Sequence, residues 1–350
     1  MSDTKLVIGM PAGSLANPNR GGNLITLLKH AGFPTKGYDA GGPTSFPLHS
    51  MLVGWDGRPQ EFGAQLALGN VDIAIGGDDW MRERTLEFKY VYGQDIQLTK
   101  VLSLGRGGVR IVVVHNPLAN GAAFDDWLRA RIAANPLVTM VSEMPFLALG
   151  WYHDKLDTLG LDAAALRQYR VQKFQTPPQI DAGLVIYETW GKTEAKVVNG
   201  AVDFGLEITQ SGSAIRNYGL EIADEIMASE SGIWANPAIK QNPEKYELAR
   251  MFLLNLYGAL YAENKVILLF NAKQADEAKI LAYLRDNHLF GDEPTMNRGE
   301  SYTEFSVQME TNNPDLPLAR ARFELAKLGA TAIETIPLES AIPHSGVIDL

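Results

Sequence analysis

The sequence predicts an α/β protein whose core is a mainly parallel sheet in two related lobes, followed by a smaller ferredoxin-like α+β unit. Three observations lead there. Apolar strand-like runs alternate with helical ones through the first two thirds of the 350 residues, which is the rhythm of βαβ construction. Two segments echo each other, G-N-V-D-I-A-I-G-G at Gly69–Gly77 and G-A-V-D-F-G-L-E-I at Gly200–Ile208. After a long amphipathic stretch the order changes to β-α-β-β-α-β.

The elements follow in order. Apolar runs at Leu6–Met10, Val71–Ile75, Val109–Val114, Val138–Val141, Leu184–Tyr187 and Val202–Leu206 read as strands. Helical spacing stands between them at Gly22–Lys29, Pro59–Leu68, Phe124–Ala134, Pro145–Leu156 and Lys192–Asn199. The two echoing segments admit two readings. Gly-x-Val-Asp is a common helix-to-strand joint in which Gly supplies a left-handed C-cap; alternatively, two related lobes flank a cleft lined by strand-end loops. Arg167–Ile180 carries adjacent prolines, which forbid a continuous helix, and reads as a long surface connection. Pro243–Tyr261 is the long amphipathic helix. Beyond it, Val266–Phe270, Thr303–Met309 and Thr331–Thr335 read as strands, and Asp276–Leu284 and Leu316–Lys327 as helices. This closing unit suits regulation or assembly.

Composition narrows the function. A chain of this length forms two or three domains, each with its own core. Against 41 Asp and Glu stand 31 Lys and Arg, a net charge of −10. No cationic excess exists to neutralise nucleic-acid phosphates or an anionic membrane. The absence of cysteine excludes disulfides, thiolate nucleophiles and cysteine-based metal sites. Runs such as Val109–Val114 and Val266–Phe270 are too short to span a bilayer. The N-terminus enters a strand-like run with no secretion signal, so a cytoplasmic protein is expected.

Several familiar motifs fail. Gly191-Lys192-Thr193 resembles the end of a P-loop, but Ile186 stands where its first Gly belongs. Leu104–Gly108 is glycine-rich but precedes a strand instead of opening a helix. The six histidines form no metal-binding pair. No G-x-S-x-G nucleophile elbow occurs. Asp78-Asp79 reads as a helix start.

The most informative stretch is Gly200–Leu220. An apolar strand ends at Glu207; Thr209, Ser211, Gly212, Ser213 and Ala214 form a small, hydroxyl-rich loop, and a helix start follows. Amides free at a helix N-terminus hold phosphate, and a carboxylate before such a loop accepts from ribose hydroxyls. Together they suggest a 5-phosphoribosyl group. The same strand–turn–helix layout also occurs throughout α/β proteins without a ligand.

With these residues in view, the chain resembles the long form of the ATP phosphoribosyltransferase family over about residues 4–342. The family's T-G-x-T-L loop, its basic residue and its later G-L correspond to Ser211-Gly212-Ser213-Ala214, Arg216 and Gly219-Leu220, with Glu207 in place of Asp. Arg58-Pro59-Gln60-Glu61 is similar to R-P-Q-D, Gly69–Trp80 to G-A-V-D-L-G-I-T-G-x-D-W, and Gly107–Ile111 to G-x-C-R-L. Ser142–Pro145 resembles T-E-Y-P, Gly191–Glu194 resembles G-S-x-E, and Leu328–Glu339 resembles L-G-A-S-x-I-L-V-L-P-I-E. The departures are Pro11-Ala12-Gly13-Ser14-Leu15 where the family has P-K-G-R-L, which removes two cations, and an apparent insertion at Arg167–Ile180. Arg20, Lys192 or another cation would have to replace those two, or the acceptor differs from ATP, or the chain is a two-lobed ligand-binding protein without catalysis.

The resemblance implies a two-lobed core of the type II periplasmic-binding-protein-like kind and a C-terminal ACT-like domain. It implies catalytic lobes at residues 1–105 plus 227–247 and at 106–226, and a regulatory domain at 262–350. The implied reaction moves the phosphoribosyl group of 5-phosphoribosyl diphosphate to N1 of ATP, with Mg²⁺, as the first step of histidine biosynthesis. A homohexamer and histidine inhibition are also implied, with Pro294 and Thr295 in the effector region. Glu207 would hold the ribose, and Thr209, Ser211, Gly212, Ser213, Ala214 and Ile215 the phosphate. Gly13, Arg58, Asp72, Gly76, Arg110, Lys192 and Glu194 would line the ATP side. No catalytic residue is named, because adenine N1 carries its own lone pair. For Arg58, Arg110, Lys192 and Glu194 the alternative is a solvated charge or a lobe-to-lobe ion pair. Asp72 has a second reading as a group that orients its strand-end loop.

Overall fold

The computed structural model describes residues 4–12, 16, 23–39, 43–348 and 350. In chain order the first elements are β1 (Leu6–Pro11), α1 (Leu24–His30), β2 (Leu52–Gly57), α2 (Pro59–Ala67), β3 (Ile73–Gly77), α3 (Asp78–Tyr92) and β4 (Thr99–His115). Next come α4 (Phe124–Ala134), β5 (Leu137–Ser142), α5 (Pro145–Leu159), β6 (Tyr169–Lys173), β7 (Gly183–Glu188), α6 (Thr193–Val198), β8 (Phe204–Thr209) and α7 (Ser213–Asn217). β9 (Glu221–Ala235) and α8 (Pro243–Ala262) follow. The C-terminal part holds β10 (Lys265–Lys273), α9 (Glu277–Asp286), β11 (Thr295–Arg298), β12 (Tyr302–Glu310), α10 (Leu318–Lys327) and β13 (Thr331–Pro337).

A nine-stranded sheet runs β2-β1-β3-β9-β4-β8-β5-β7-β6. Its flanks are parallel: β2, β1 and β3 on one side, β8, β5, β7 and β6 on the other. Between them β9 and β4 are antiparallel to each other and to their outer neighbours. These two long strands pass through both flanks, and their register breaks between Ser103 and Val109. Gly105 and Gly107 adopt φ of +59° and +65° there, a bend that a side chain would strain.

Each flank has its own core. Leu6, Ile8, Leu28, Ile233 and Phe252 pack together on one side, and Trp151, Tyr152, Ile186 and Phe204 on the other. Burial of each aliphatic or Phe side chain among these contributes about 1.5–3 kcal/mol. Helix α3 bridges the flanks. Its fully buried Glu83 accepts the amides of Phe146 and Leu147, at the N-terminus of α5. A carboxylate suits that end, where the helix dipole is positive and the first amides lack partners.

The second sheet runs β11-β12-β10-β13, antiparallel throughout. With α9 and α10 it forms the β-α-β-β-α-β arrangement, around a core that includes Leu268, Phe270, Ile280 and Phe305.

Three features differ from the sequence reading. The sheet is mainly parallel as expected, but the antiparallel pair β4 and β9 interrupts it, and β9 was not read as a strand because Glu221–Glu230 is acid-rich and mostly part-buried or exposed. The Arg167–Ile180 segment is more than a surface connection. Tyr169–Lys173 forms the edge strand beside β7, and only after it do the prolines turn the chain. Helix α3 escaped delimitation because its Arg- and Glu-rich sequence carries little apolar periodicity.

Candidate active site

The carboxyl ends of the strands on both flanks meet across the β4–β9 bend, which is where open α/β sheets bind ligands. A hollow of about 320 Å³ lies there, between Asp78, Gly108, Arg110, Gln210, Ser229 and Glu230.

On the β8 side, the chain leaves Thr209 and turns through Gly212 at φ +69° into α7. The loop braces itself. The Gly212 N–H donates to Thr209 Oγ1 at 2.9 Å, and the Ser213 N–H to Ser211 Oγ at 3.3 Å. The Arg216 guanidinium donates to the Ser211 carbonyl at 2.9 Å. The expectation that the whole Thr209–Ile215 segment grips phosphate therefore needs correction. Two of its amides, at Gly212 and Ser213, are engaged by the loop's own hydroxyls. The N–H groups of Ser211, Ala214 and Ile215 have no partner among the described residues. Two guanidinium groups stand over this turn: a Cβ on Gly212 would lie 3.2 Å from Arg216 Nη1 and 3.9 Å from Arg110 Nη2. Arg110, opposite Thr209 on β4, is steadied by Glu225 at 3.0 Å.

Beside the loop three carboxylates converge. Burial pushes Glu207 up to about 7, and the negative charges of Glu194 and Glu143 add to the rise. A hydrogen bond from Thr193 and one from the backbone partly offset this. Burial also raises Glu143, which accepts the Gly191 N–H and feels Lys196. Gly191 at φ +82° and Lys192 at φ +61° turn the chain into α6, so Glu194 reaches the cluster from the first turn of that helix. Lys192 is exposed and makes no ion pair among the described residues.

The facing wall is acidic. Asp78, at the start of α3, takes the Glu230 N–H at 2.9 Å and Lys100 Nζ at 3.1 Å. Neighbouring Asp79 is buried and accepts from its own helix's Trp80 N–H; burial raises its pKa.

The other expected residues scatter. Arg58 caps α2 at the carboxyl end of β2, on the same sheet edge, and is exposed. Gly76 is buried, and its missing side chain leaves room for Met81 of α3, whose Cε would lie 2.7 Å from a Cβ. Gly13 and Arg20 lie outside the described residues. Asp72 is not at the cleft. It precedes β3, at the opposite sheet edge, where it accepts the Val7 N–H and binds Lys245 at 2.8 Å. This is the loop-orienting alternative. Thr295 opens the exposed edge strand β11, next to Pro294. Neither lines the larger C-terminal hollow, which lies around Lys265, His288 and Glu310.

Reading by motif passed over Glu143, Arg216, Asp78 and Glu230 as site residues. The first three stood inside matched motifs, so the signal was present; Glu230 had none, because β9 was not seen.

The family model described as HisG: ATP phosphoribosyltransferase matches residues 58–256, more than half of the chain. An ATP phosphoribosyltransferase from Trichlorobacter lovleyi is 27% identical over 349 residues, 97% of this chain and 99% of its own. One from Solidesulfovibrio magneticus is 34% identical over 292 residues, 81% of each chain. Among solved structures, the ATP phosphoribosyl transferase (HisG:HisZ) complex from Thermotoga maritima aligns at a TM-score of 0.47 and 18% identity. It covers 72% of this chain and 96% of that one. The chain belongs to the ATP phosphoribosyltransferase family.

Proposed function

We infer that this chain is an ATP phosphoribosyltransferase, a pentosyltransferase that moves the phosphoribosyl group of 5-phosphoribosyl diphosphate to N1 of ATP and releases pyrophosphate. That is the first step of histidine biosynthesis. The observation that supports its siting here is the turn at Gly212: free amides at Ser211, Ala214 and Ile215, two guanidinium groups above, and Glu207 one strand-step before.

In this reading the Ser211, Ala214 and Ile215 amides and the Ser211 and Ser213 hydroxyls take the 5-phosphate. Thr209 keeps the turn closed, and Arg110 and Arg216 balance the charge. Glu207 accepts from the ribose hydroxyls and faces the positive charge that develops at the anomeric carbon. Glu143 holds the Gly191 loop, which brings Lys192 and Glu194 to the cleft. Alignment of N1, carbon and diphosphate supplies much of the acceleration.

The cofactor in this reading is Mg²⁺. Glu143, Glu194 and Glu207 are the oxygen donors it takes, yet no three acidic or histidine side chains among the described residues are placed to hold a metal by themselves. The ion would therefore keep water and diphosphate oxygens as ligands, and it would neutralise charge on the leaving group.

The same reading carries a homohexamer, histidine inhibition through the region of Pro294 and Thr295, and a cytoplasmic setting; no helix among the described residues is long and apolar enough to cross a membrane. It also divides the chain into lobes at 1–105 plus 227–247 and at 106–226, with a regulatory part at 262–350. A second reading, transfer to another base, draws on Ala12 where the family has Lys and on the acidic wall of Asp78 and Glu230. Pyrophosphate release from phosphoribosyl diphosphate decides between them, with ATP set against other purine acceptors. Turnover with ATP alone is expected, and preference for another base would overturn it.

A further inference from the structure

Trp190 is 61% exposed, and no ring or cation packs against it among the described residues. Single exposed apolar side chains are ordinary; what marks this one is how its backbone is held. The loop after β7 is pinned on both sides of it. The Thr189 N–H donates to the Ser142 carbonyl at 3.0 Å, and the Gly191 N–H donates to the Glu143 carboxylate. Lys196 Nζ adds a bond to the Gly191 carbonyl at 2.8 Å. Thr189 is buried. The Trp190 backbone is thus held at the carboxyl rim of the sheet, with the bulk of the indole in solvent. Three residues on, Thr193 hydrogen-bonds Glu207, and the next residue, Glu194, raises it.

We propose that Trp190 is the platform on which the base of the acceptor nucleotide stacks. This rests on the phosphoribosyl-transfer reading. In that reaction the acceptor nitrogen must come within about 3–3.5 Å of the anomeric carbon. The sugar bearing that carbon is assigned to Glu207, to which the Trp190 loop is tied. An indole face binds a purine through stacking and dispersion, with little dependence on which purine it is. Such a platform also answers the loss of two cations from the N-terminal motif. Affinity for the acceptor shifts from charge toward stacking, so KM for ATP responds weakly to salt.

The test compares the full-length protein with Trp190→Ala and Trp190→Phe, using pyrophosphate release and quenching of indole fluorescence by ATP. Trp190→Ala should raise KM for ATP about tenfold, while Trp190→Phe, which keeps a ring, raises it less. KM for the donor stays unchanged in both. A wild-type enzyme that turns over ATP, with a KM that ignores Trp190→Ala, overturns the platform and leaves the function standing. If wild type releases no pyrophosphate from ATP, the function reading fails and fluorescence judges the platform. Quenching in wild type that is lost in Trp190→Phe sustains it. Quenching that is equal in both, or absent, overturns it.

Discussion

Asp72 and Asp203 make the same two-way hook at two places in one sheet. The Asp72 N–H donates to the Val7 carbonyl at 2.9 Å, and its carboxylate takes the Val7 N–H at 2.8 Å. The Asp203 N–H donates to the Thr139 carbonyl at 3.1 Å, and its carboxylate takes the Thr139 N–H at 2.8 Å. A cation completes each, Lys245 on Asp72 and Arg131 on Asp203. Upstream, Gly69 and Gly200 sit at φ +73° and +66°. The Gly-x-Val-Asp echo is therefore more than a C-cap. It registers an incoming strand on its neighbour, β3 on β1 and β8 on β5.

Removing such a hook should cost stability without touching chemistry. Asp203→Ala leaves the Thr139 amide without its acceptor and the part-buried Arg131 with only the Asn135 and Leu137 carbonyls. The expected loss is about 2–4 kcal/mol, read as a lower urea midpoint. Turnover per folded molecule should stay within twofold. A variant as stable as wild type would show that the Asn135 and Leu137 carbonyls suffice for Arg131.

The turn at Gly212 should behave in the opposite way. Gly212→Asp places a carboxylate between Arg110 and Arg216, at a left-handed position that Asp tolerates for about 1 kcal/mol. Donor KM should rise at least tenfold, with a small change in unfolding midpoint. Glu207→Ala should likewise weaken donor use more than folding. If both variants used the donor normally, the phosphate would have to bind elsewhere.

The sequence made some of this visible and hid the rest for physical reasons. Strands buried on both sides, such as β1 and β5, are continuous apolar runs, and β8 is marked by its acid and its glycine turn. Three strands and both helices of the C-terminal unit were legible, helped by the alternation that one-sided burial leaves at Thr303–Met309, whereas the short, exposed edge strand β11 was not. β9 was not legible, since its first ten residues are acid-rich and mostly part-buried or exposed, with Ala223, Ile226 and Met227 on the second core, and its place depends on β4, more than a hundred residues earlier. Asp72 was assigned to the cleft because a linear motif runs through both ends of a strand, and a motif does not say which end faces the ligand. Bracing within the Ser211–Ser213 loop was equally hidden, because a hydroxyl beside a free amide can serve either the protein or a ligand.

Chelation should separate catalysis from folding. The described residues hold no group of three acidic or histidine side chains placed for a metal, so chelation has no such cage among them to empty. In the Mg²⁺ reading EDTA should abolish pyrophosphate release and leave the thermal midpoint within about 1 °C, because only a metal held by the fold itself contributes folding energy. A large fall in midpoint would reveal a protein-held ion.

Glu83 gives the fold a pH dependence of its own. Its side chain is fully buried, and burial raises its pKa from the usual 4.5 to about 7. The Phe146 and Leu147 amides and the Arg84 charge hold it back from rising further. The folded chain therefore keeps a proton that the unfolded chain releases above pH 4.5. The stabilisation from that proton is complete below the unfolded value and is lost as pH climbs through 7. Glu83→Gln keeps an oxygen for the α5 amides and has nothing to titrate. Urea midpoints of both proteins at pH 5, 6, 7 and 8 should diverge, with wild type falling relative to the variant by on the order of 3 kcal/mol over the full window. Parallel curves would mean that Glu83 is already ionised in the folded protein, its charge carried by the helix end it caps.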